Sequence, residues 1–135
     1  MRLSSFFTNT WISFAAAQLL VHTQQGDVLG TLAGLTVRQF LGIPYATADR
    51  WTAPKLPPRR VAPFLANKFG DSCIQMNSPA NVEFLKLTGN VIGNTMESED
   101  CLSINIWAPS LFRKQKTAVM VWIYGGGFVF GTVSI

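Results

Sequence analysis

The chain has 135 residues, of which 48% are hydrophobic and 13% are charged, against a usual charged share of about 25%. This composition excludes a disordered, highly solvated protein, and the length allows one domain at most. The formal net charge of +4 is dilute along the chain, so we expect no nucleic-acid partner, which would require a clustered basic patch. Two cysteines and one histidine are too few for a four-ligand Cys/His site, so we expect no metal.

The N-terminal segment carries no charge from Leu3 to Val21, and Arg2 stands alone in front of it. Its densest apolar stretch runs from Trp11 to Val21, the layout of a secretory signal peptide. A transmembrane helix needs about 20 mostly apolar residues, whereas this segment includes several Ser, Thr, Asn and Gln side chains. We therefore expect a cleaved signal and no stable membrane anchor. An uncleaved anchor and an ordinary buried segment are the alternatives.

The cleavage site predicted from the sequence lies before Gln18, because Ala15 and Ala17 are small residues at suitable positions. Residues 1–17 would then form the signal peptide and residues 18–135 the mature chain. The protein would be secreted to the extracellular space. No Asn-x-Ser/Thr sequon occurs, so N-glycosylation is not expected.

Export would place Cys73 and Cys101 in an oxidising compartment, where an even number of cysteines favours a disulfide. Closing a loop of this length, roughly 30 residues, stabilises the fold by about 3.5 kcal/mol on a chain-entropy argument. The alternative is a pair of buried, unpaired thiols.

Three segments in the first two thirds of the chain have recognisable patterns. Glycines between short apolar or β-branched runs predict short strands joined by tight turns from Asp27 to Tyr45. Four prolines from Pro54 to Pro63 predict an irregular connection, since proline lacks an N–H donor and biases its predecessor away from helix. A short helix is predicted from Pro79 to Leu87, with Ser78 as its N-cap.

Two later segments predict strands of different kinds. Leu102 to Trp107 alternates apolar and polar side chains, as in a strand with one buried face. Ala118 to Tyr124 is apolar throughout, as expected of a strand covered on both faces in a largely parallel sheet. Together they favour the first sheet of an α/β domain whose remainder lies outside this chain.

The glycines Gly125, Gly126 and Gly127 directly follow the predicted buried strand. Glycine triplets are often mere spacers, but here their backbone N–H groups could approach a phosphate or an oxyanion. A P-loop is rejected because Thr132 stands where its lysine should be. A dinucleotide site is disfavoured because no sequence remains for the acid that binds the ribose. We therefore expect no cofactor.

The predicted strand, the glycine turn and the aromatic residue after it, Phe128, form a pattern. This pattern matches the loop that supplies oxyanion donors in α/β-hydrolases of the lipase and esterase type. Four further blocks support this match, in a fixed order along the chain. With the glycine turn, the blocks are Phe40–Ala46, Arg50-Trp51 with Pro54, Gly70–Cys73, Ser98–Ile106 and Val119–Phe128. On these blocks the chain resembles the N-terminal part of a type B carboxylesterase, the family of cholinesterases, secreted fungal lipases and neuroligins. Ser72–Gln75 and Ser98–Ile106 look closest to the secreted fungal lipases.

This resemblance implies the fold and the main site. The fold would be that of an α/β-hydrolase, with short antiparallel strands leading into a central, mostly parallel sheet. Gly126 and Gly127 match the family's oxyanion donors, and losing one such backbone N–H typically costs about 3 kcal/mol of transition-state stabilisation. Tyr124 stands where many esterases have histidine, although cholinesterases and several relatives have tyrosine there.

The resemblance also implies two structural contacts. Cys73 and Cys101 match the family's first disulfide. Arg50 and Glu99 match a buried ion pair near that bridge.

The catalytic triad of the family is absent from these residues. There is no Gly-x-Ser-x-Gly elbow, and the sole histidine, His22, precedes the expected fold and carries no predicted role. The leading hypothesis is an N-terminal fragment of a secreted carboxylic ester hydrolase, inactive alone, whose full-length form acts on a small-molecule or lipid ester. The alternatives are a non-catalytic, adhesion-type relative and a genuine small secreted binding domain. The sequence does not indicate an oligomeric state.

Overall fold

The computed structural model describes residues 19–76, 78–80, 83, 87, 96–113, 115–127 and 129–133. Within these residues the chain forms short strands arranged in three small sheets. The strands are β1 (Leu20–Val21), β2 (Val28–Leu29), β3 (Thr31–Ala33), β4 (Val37–Pro44), β5 (Phe64–Leu65), β6 (Ser72–Cys73), β7 (Glu97–Ser98) and β8 (Ser103–Pro109). The predicted signal peptide, residues 1–17, lies outside the described residues.

The largest sheet has the order β3-β4-β8, and both pairings are antiparallel. The eight-residue β4 is its central strand, with Thr31 opposite Gln39 and Phe40 opposite Ile106. The register shifts between Phe40 and Ile43, which is the irregularity of a β-bulge. A tight turn over residues 34–36 joins β3 to β4. The short strands and turns predicted for this part of the chain are therefore confirmed.

A second sheet has the order β1-β2-β5, in which β2 pairs antiparallel with β1 and parallel with β5. Val28 of this sheet and Ala66, which directly follows β5, pack with Phe40 of the first sheet into a small buried core. The partly buried side chains of Ile43 and Phe64 pack against this core. The core is small, and most large apolar side chains of the described residues lie outside it.

The irregular connection and the short helix predicted from the sequence also agree with the described residues. Between Pro54 and Pro63 the chain is irregular, apart from one isolated bridge between Thr47 and Lys55. The described residues of the predicted helix, at positions 79, 80, 83 and 87, are helical, and Ser78 directly precedes them. The other residues predicted for this helix lie outside the described part of the chain.

The predicted buried strand from Ala118 to Tyr124 is wrong for the described residues. No strand forms there, and the side chains of Val119, Met120 and Trp122 are 87%, 93% and 79% exposed. A strand buried on both faces needs a hydrogen-bonded neighbour on each side and a layer above and below it. None of the described residues provides them.

The strand predicted near Leu102 is confirmed as β8, but its apolar face is not buried. Ile104 and Ile106 are each 42% exposed. With Val28 and Phe40 they line an open apolar hollow of about 380 Å³. The alternating pattern therefore predicted the strand correctly, whereas the cover over its apolar face is not supplied by the described residues.

Two observations concern the described residues as a whole. No helix among them is long and apolar enough to cross a membrane. Nowhere in the same residues do three or more His, Cys, Asp or Glu side chains gather as metal ligands would.

Candidate functional site

The glycine turn forms a narrow loop stabilised by its own backbone. Gly126 has φ 132° and Gly127 has φ 62°, values that favour glycine because a Cβ atom would be strained there. The N–H groups of Val129 and Phe130 both donate to the carbonyl oxygen of Gly126, at 3.1 and 3.3 Å. Among the described residues, the N–H groups of Gly126 and Gly127 donate to no acceptor. Within the described part of the chain, two successive backbone donors therefore lack a protein partner.

The loop is closed at its base, where its two ends touch. A Cβ atom at Gly131 would overlap the ring of Tyr124 and would lie 2.8 Å from the carbonyl oxygen of Gly125. A Cβ atom at Gly126 would overlap the carbonyl oxygen of Phe130. Only glycine allows these approaches, so the backbone path of the loop depends on both positions.

The side chain of Gln75 holds the base of this loop. Its Oε1 accepts the N–H of Gly131 at 2.7 Å, and its Nε2 donates to the carbonyl oxygen of the same residue at 3.1 Å. Nε2 also lies 3.3 Å from the carbonyl oxygen of Cys73. Gln75 is half-buried, so these hydrogen bonds are partly shielded from water.

The two residues that follow Gly131 are held by other strands. The hydroxyls of Thr132 and Ser72 are hydrogen-bonded at 2.8 Å. The amide of Asn105 donates to the carbonyl oxygen of Val133 at 3.0 Å and accepts the N–H of Gly42, in the β4 bulge, at 2.7 Å. Three consecutive residues are therefore each bound by a polar side chain from another part of the fold.

The structure contains the disulfide between Cys73 and Cys101, with Cα atoms 5.0 Å apart. It joins the end of β6 to the segment that leads into β8. Because β6 also pairs in parallel with β7, the segment that carries Gln75 is fixed on two sides. The bridge is therefore connected to the glycine loop through Gln75.

Arg50 and Glu99 form an ion pair, with Nη1 and Oε1 3.1 Å apart. The resemblance implied a buried pair, but the side chains are 61% and 53% exposed. The described residues do not cover them, so water screens their attraction. An exposed pair of this kind contributes about 0–1 kcal/mol to stability.

His22 lies away from these contacts. Its Nδ1 is 2.7 Å from Oδ1 of Asp27, and the His22 side chain is 80% exposed. It contacts no described residue of the glycine loop by hydrogen bond. This position offers no support for a catalytic role.

Sequence analysis predicted the glycines of the loop but missed the side chains that hold it. Asn105 stands at a polar position of an alternating strand, and that pattern indicates a solvent-facing side chain. Gln75 lies two residues after Cys73, in a segment without periodicity. No local pattern in the sequence marks either amide for this role, because the contacts join residues that are distant along the chain.

Among the described residues, the two successive N–H groups of the closed glycine turn have no protein acceptor, and backbone N–H groups are one kind of donor that hydrolases direct at an oxyanion. The profile of the carboxylesterase family matches residues 17–135. The chain belongs to the carboxylesterase family.

Relatives within the family support this assignment. An acetylcholinesterase of Danio rerio is 35% identical over 98% of this chain, and a fumonisin B1 esterase of Sphingopyxis macrogoltabida is 35% identical over 87%. A solved PNB esterase matches 84% of this chain with a TM-score of 0.69 and 35% identity. The match covers 22%, 21% and 22% of these three proteins, respectively. The chain thus spans about a fifth of the length of its relatives.

The family and the matched structures imply an α/β-hydrolase fold, of which the described residues form a strand-rich part. The predicted family resemblance is confirmed at this level. The closer likeness to secreted fungal lipases stays a prediction.

Proposed function

We propose that this chain is the N-terminal part of a secreted carboxylic ester hydrolase and that it supplies the oxyanion site. The N–H groups of Gly126 and Gly127 would bind the oxygen that gains negative charge when a nucleophile attacks the ester carbonyl. The observation that carries the proposal is the pair of successive donors in a closed loop. Donors already oriented before the reaction stabilise the transition state without reorganisation at that moment.

The relatives and the disulfide support a proposed class of substrate and a proposed location. Acetylcholinesterase, fumonisin B1 esterase and PNB esterase are all named for ester substrates. We infer a small-molecule or lipid ester for the complete protein. The Cys73–Cys101 bridge is typical of an oxidising compartment, which supports secretion after removal of residues 1–17.

The residues of this chain supply only part of the chemistry. Ester hydrolysis in this family uses a serine in a Gly-x-Ser-x-Gly elbow, an acid and a histidine, and the elbow is absent from the sequence. The nucleophile and the base would come from further residues of the complete protein. An oxyanion site without a nucleophile has no intermediate to stabilise, so the chain alone should not hydrolyse esters.

The test compares the complete protein with the chain alone. We expect the complete protein to hydrolyse p-nitrophenyl butyrate and to be labelled by a fluorophosphonate, which reacts with activated serines. Replacing the elbow serine by alanine should abolish both signals. The chain alone should show neither signal. A complete protein that folds but neither hydrolyses nor takes up the label would contradict the proposal and favour the non-catalytic, adhesion-type alternative.

A further inference from the structure

The side chain of Gln75 makes an unusual pair of contacts with a single residue of the glycine loop. One amide both accepts from the N–H and donates to the carbonyl oxygen of Gly131, at 2.7 and 3.1 Å. This is the pairing that a neighbouring strand makes with its backbone. We propose that Gln75 is a positioning residue that holds the oxyanion loop in its productive geometry. The inference rests on the proposed function.

The two hydrogen bonds between Gln75 and Gly131, which we call the Gln75 clamp, act at the position that controls the whole loop. Gly131 lies against the ring of Tyr124 and the carbonyl oxygen of Gly125, so it fixes where the loop begins as well as where it ends. Between these ends, the hydrogen bonds to the carbonyl oxygen of Gly126 fix the turn. A shift of Gly131 would therefore shift the N–H groups of Gly126 and Gly127.

The Gln75 side chain is itself held in place, so it can fix the position of Gly131. Gln75 follows the disulfide-bonded Cys73 by two residues, and its Nε2 contacts the carbonyl oxygen of that cysteine. A long side chain normally loses rotamer freedom when it is ordered. Here the bridge, the β6–β7 pairing and half-burial restrict Gln75 before any substrate binds.

A positioning role predicts a specific kinetic signature. The oxyanion exists only in the transition state and intermediate, so a displaced loop should lower kcat and leave KM nearly unchanged. A displacement of about 1 Å in a catalytic group costs up to about a hundredfold in rate. For Gln75→Met, which has a similar length but no hydrogen-bonding amide, we expect kcat to fall about tenfold to a hundredfold.

The Gln75→Glu variant distinguishes a hydrogen-bond clamp from simple packing. As a carboxylate, the new side chain accepts from the N–H of Gly131 but offers no donor to its carbonyl oxygen. As a neutral acid, it provides both an O–H donor and an acceptor, like the native amide. Its kcat relative to wild type at the same pH should rise as pH falls toward the ordinary carboxyl pKa of about 4.3. The relative kcat of Gln75→Met should not change with pH.

The experiment uses the complete protein with Gln75→Met, Gln75→Glu and the control Gln24→Met. Gln24 is exposed and lies in a turn near β1, so the control carries the same chemical change without touching the loop. We would measure kcat, KM and the pH dependence of each, together with amide hydrogen exchange at Gly131. Faster exchange at Gly131 in Gln75→Met, with unchanged exchange elsewhere, would show that the loop base was released while the fold was kept.

The outcomes separate this inference from the proposed function. If the wild-type protein hydrolyses esters and Gln75→Met does so equally well, the positioning role fails and the proposed function stands. A pH-independent ratio for Gln75→Glu, or equal loss in the Gln24→Met control, would also overturn it. If the wild-type protein hydrolyses nothing, the proposed function fails. In that case, amide hydrogen exchange at Gly131 in Gln75→Met still tests the inference. Faster exchange than in the wild type supports it, and an unchanged rate overturns it.

Discussion

At the scale of single residues, amide side chains of this protein do what backbone groups do in a regular sheet. Asn105 bridges the N–H of Gly42 and the carbonyl oxygen of Val133. Gln75 pairs with both backbone groups of Gly131. Such bridges satisfy backbone groups at a bulge and in a loop, where no strand partner is available.

Replacing Asn105 by leucine should destabilise the protein by about 2 kcal/mol. The change keeps the size of the side chain but leaves the N–H of Gly42 and the carbonyl oxygen of Val133 without this partner, and an unsatisfied, shielded polar group costs about 1–3 kcal/mol. The measurement is the urea midpoint of unfolding. Asn67→Leu is the matched control, because Asn67 is exposed and such substitutions usually stay within about 0.5 kcal/mol. Equal midpoints for both variants would show that the bridge contributes nothing.

At the scale of elements, the glycine loop combines open donors with a backbone path that admits no side chain at two positions. Gly126 approaches the carbonyl oxygen of Phe130, and Gly131 approaches Tyr124. Gly34, in the turn between β3 and β4, also has a positive φ, of 68°, but has open space around it. The two kinds of glycine should therefore respond differently to alanine.

Gly126→Ala should lower kcat of the complete protein by about a hundredfold to a thousandfold, the typical effect of losing an oxyanion donor. The added methyl group cannot fit beside Phe130, so the loop must move. Gly34→Ala should cost about 1 kcal/mol of stability through backbone strain and leave kcat unchanged. Steady-state kinetics and thermal unfolding of both variants check this. A normal kcat in a folded Gly126→Ala protein would argue against the oxyanion role.

The disulfide connects the segment that carries Gln75 to the segment that leads into β8. Replacing Cys73 and Cys101 together by alanine should destabilise the protein by about 2–5 kcal/mol, as is typical of native bridges. It should also raise amide exchange at Gly131, because the segment carrying Gln75 loses an anchor. Thermal unfolding and hydrogen exchange measure the two effects. Lower stability with unchanged exchange at Gly131 would show that the bridge does not support the clamp.

At the scale of the whole molecule, many large apolar side chains of the described residues are exposed, including those of Val119, Met120 and Trp122. The core consists of a few residues around Val28, Phe40 and Ala66. Ala118–Tyr124 and the hollow beside Ile104 and Ile106 are open. Large apolar patches and unpaired extended segments mark surfaces that normally contact other protein.

The chain expressed alone from residue 18 should therefore self-associate. Light scattering after size exclusion should show mass that rises with concentration. The double substitution Val119→Lys and Val121→Lys should reduce association, since charge on an exposed apolar segment opposes its pairing with another chain. A monomer with a cooperative melt would contradict this and would favour a genuine small binding domain.

The sequence by itself determined the features that depend on local chemistry. Glycine spacing, β-branched runs and prolines predicted β3, β4 and the irregular connection, because turn and strand preferences act over a few residues. Alternation predicted β8, and five motif blocks in a fixed order, ending with the glycine turn, predicted the family. The even cysteine count favoured the Cys73–Cys101 bridge, which the structure contains.

Only the tertiary structure decided which surfaces are covered and what holds the loop. An apolar run such as Ala118–Tyr124 indicates that burial is needed, but burial depends on neighbours that are distant in sequence, and the described residues provide none. Gln75 and Asn105 reach residues 56 and 28 positions away, and no local pattern encodes such contacts. Their hydrogen bonds exist because the bulge at Gly42, the disulfide and the closed glycine loop bring unpaired backbone groups within reach of an amide.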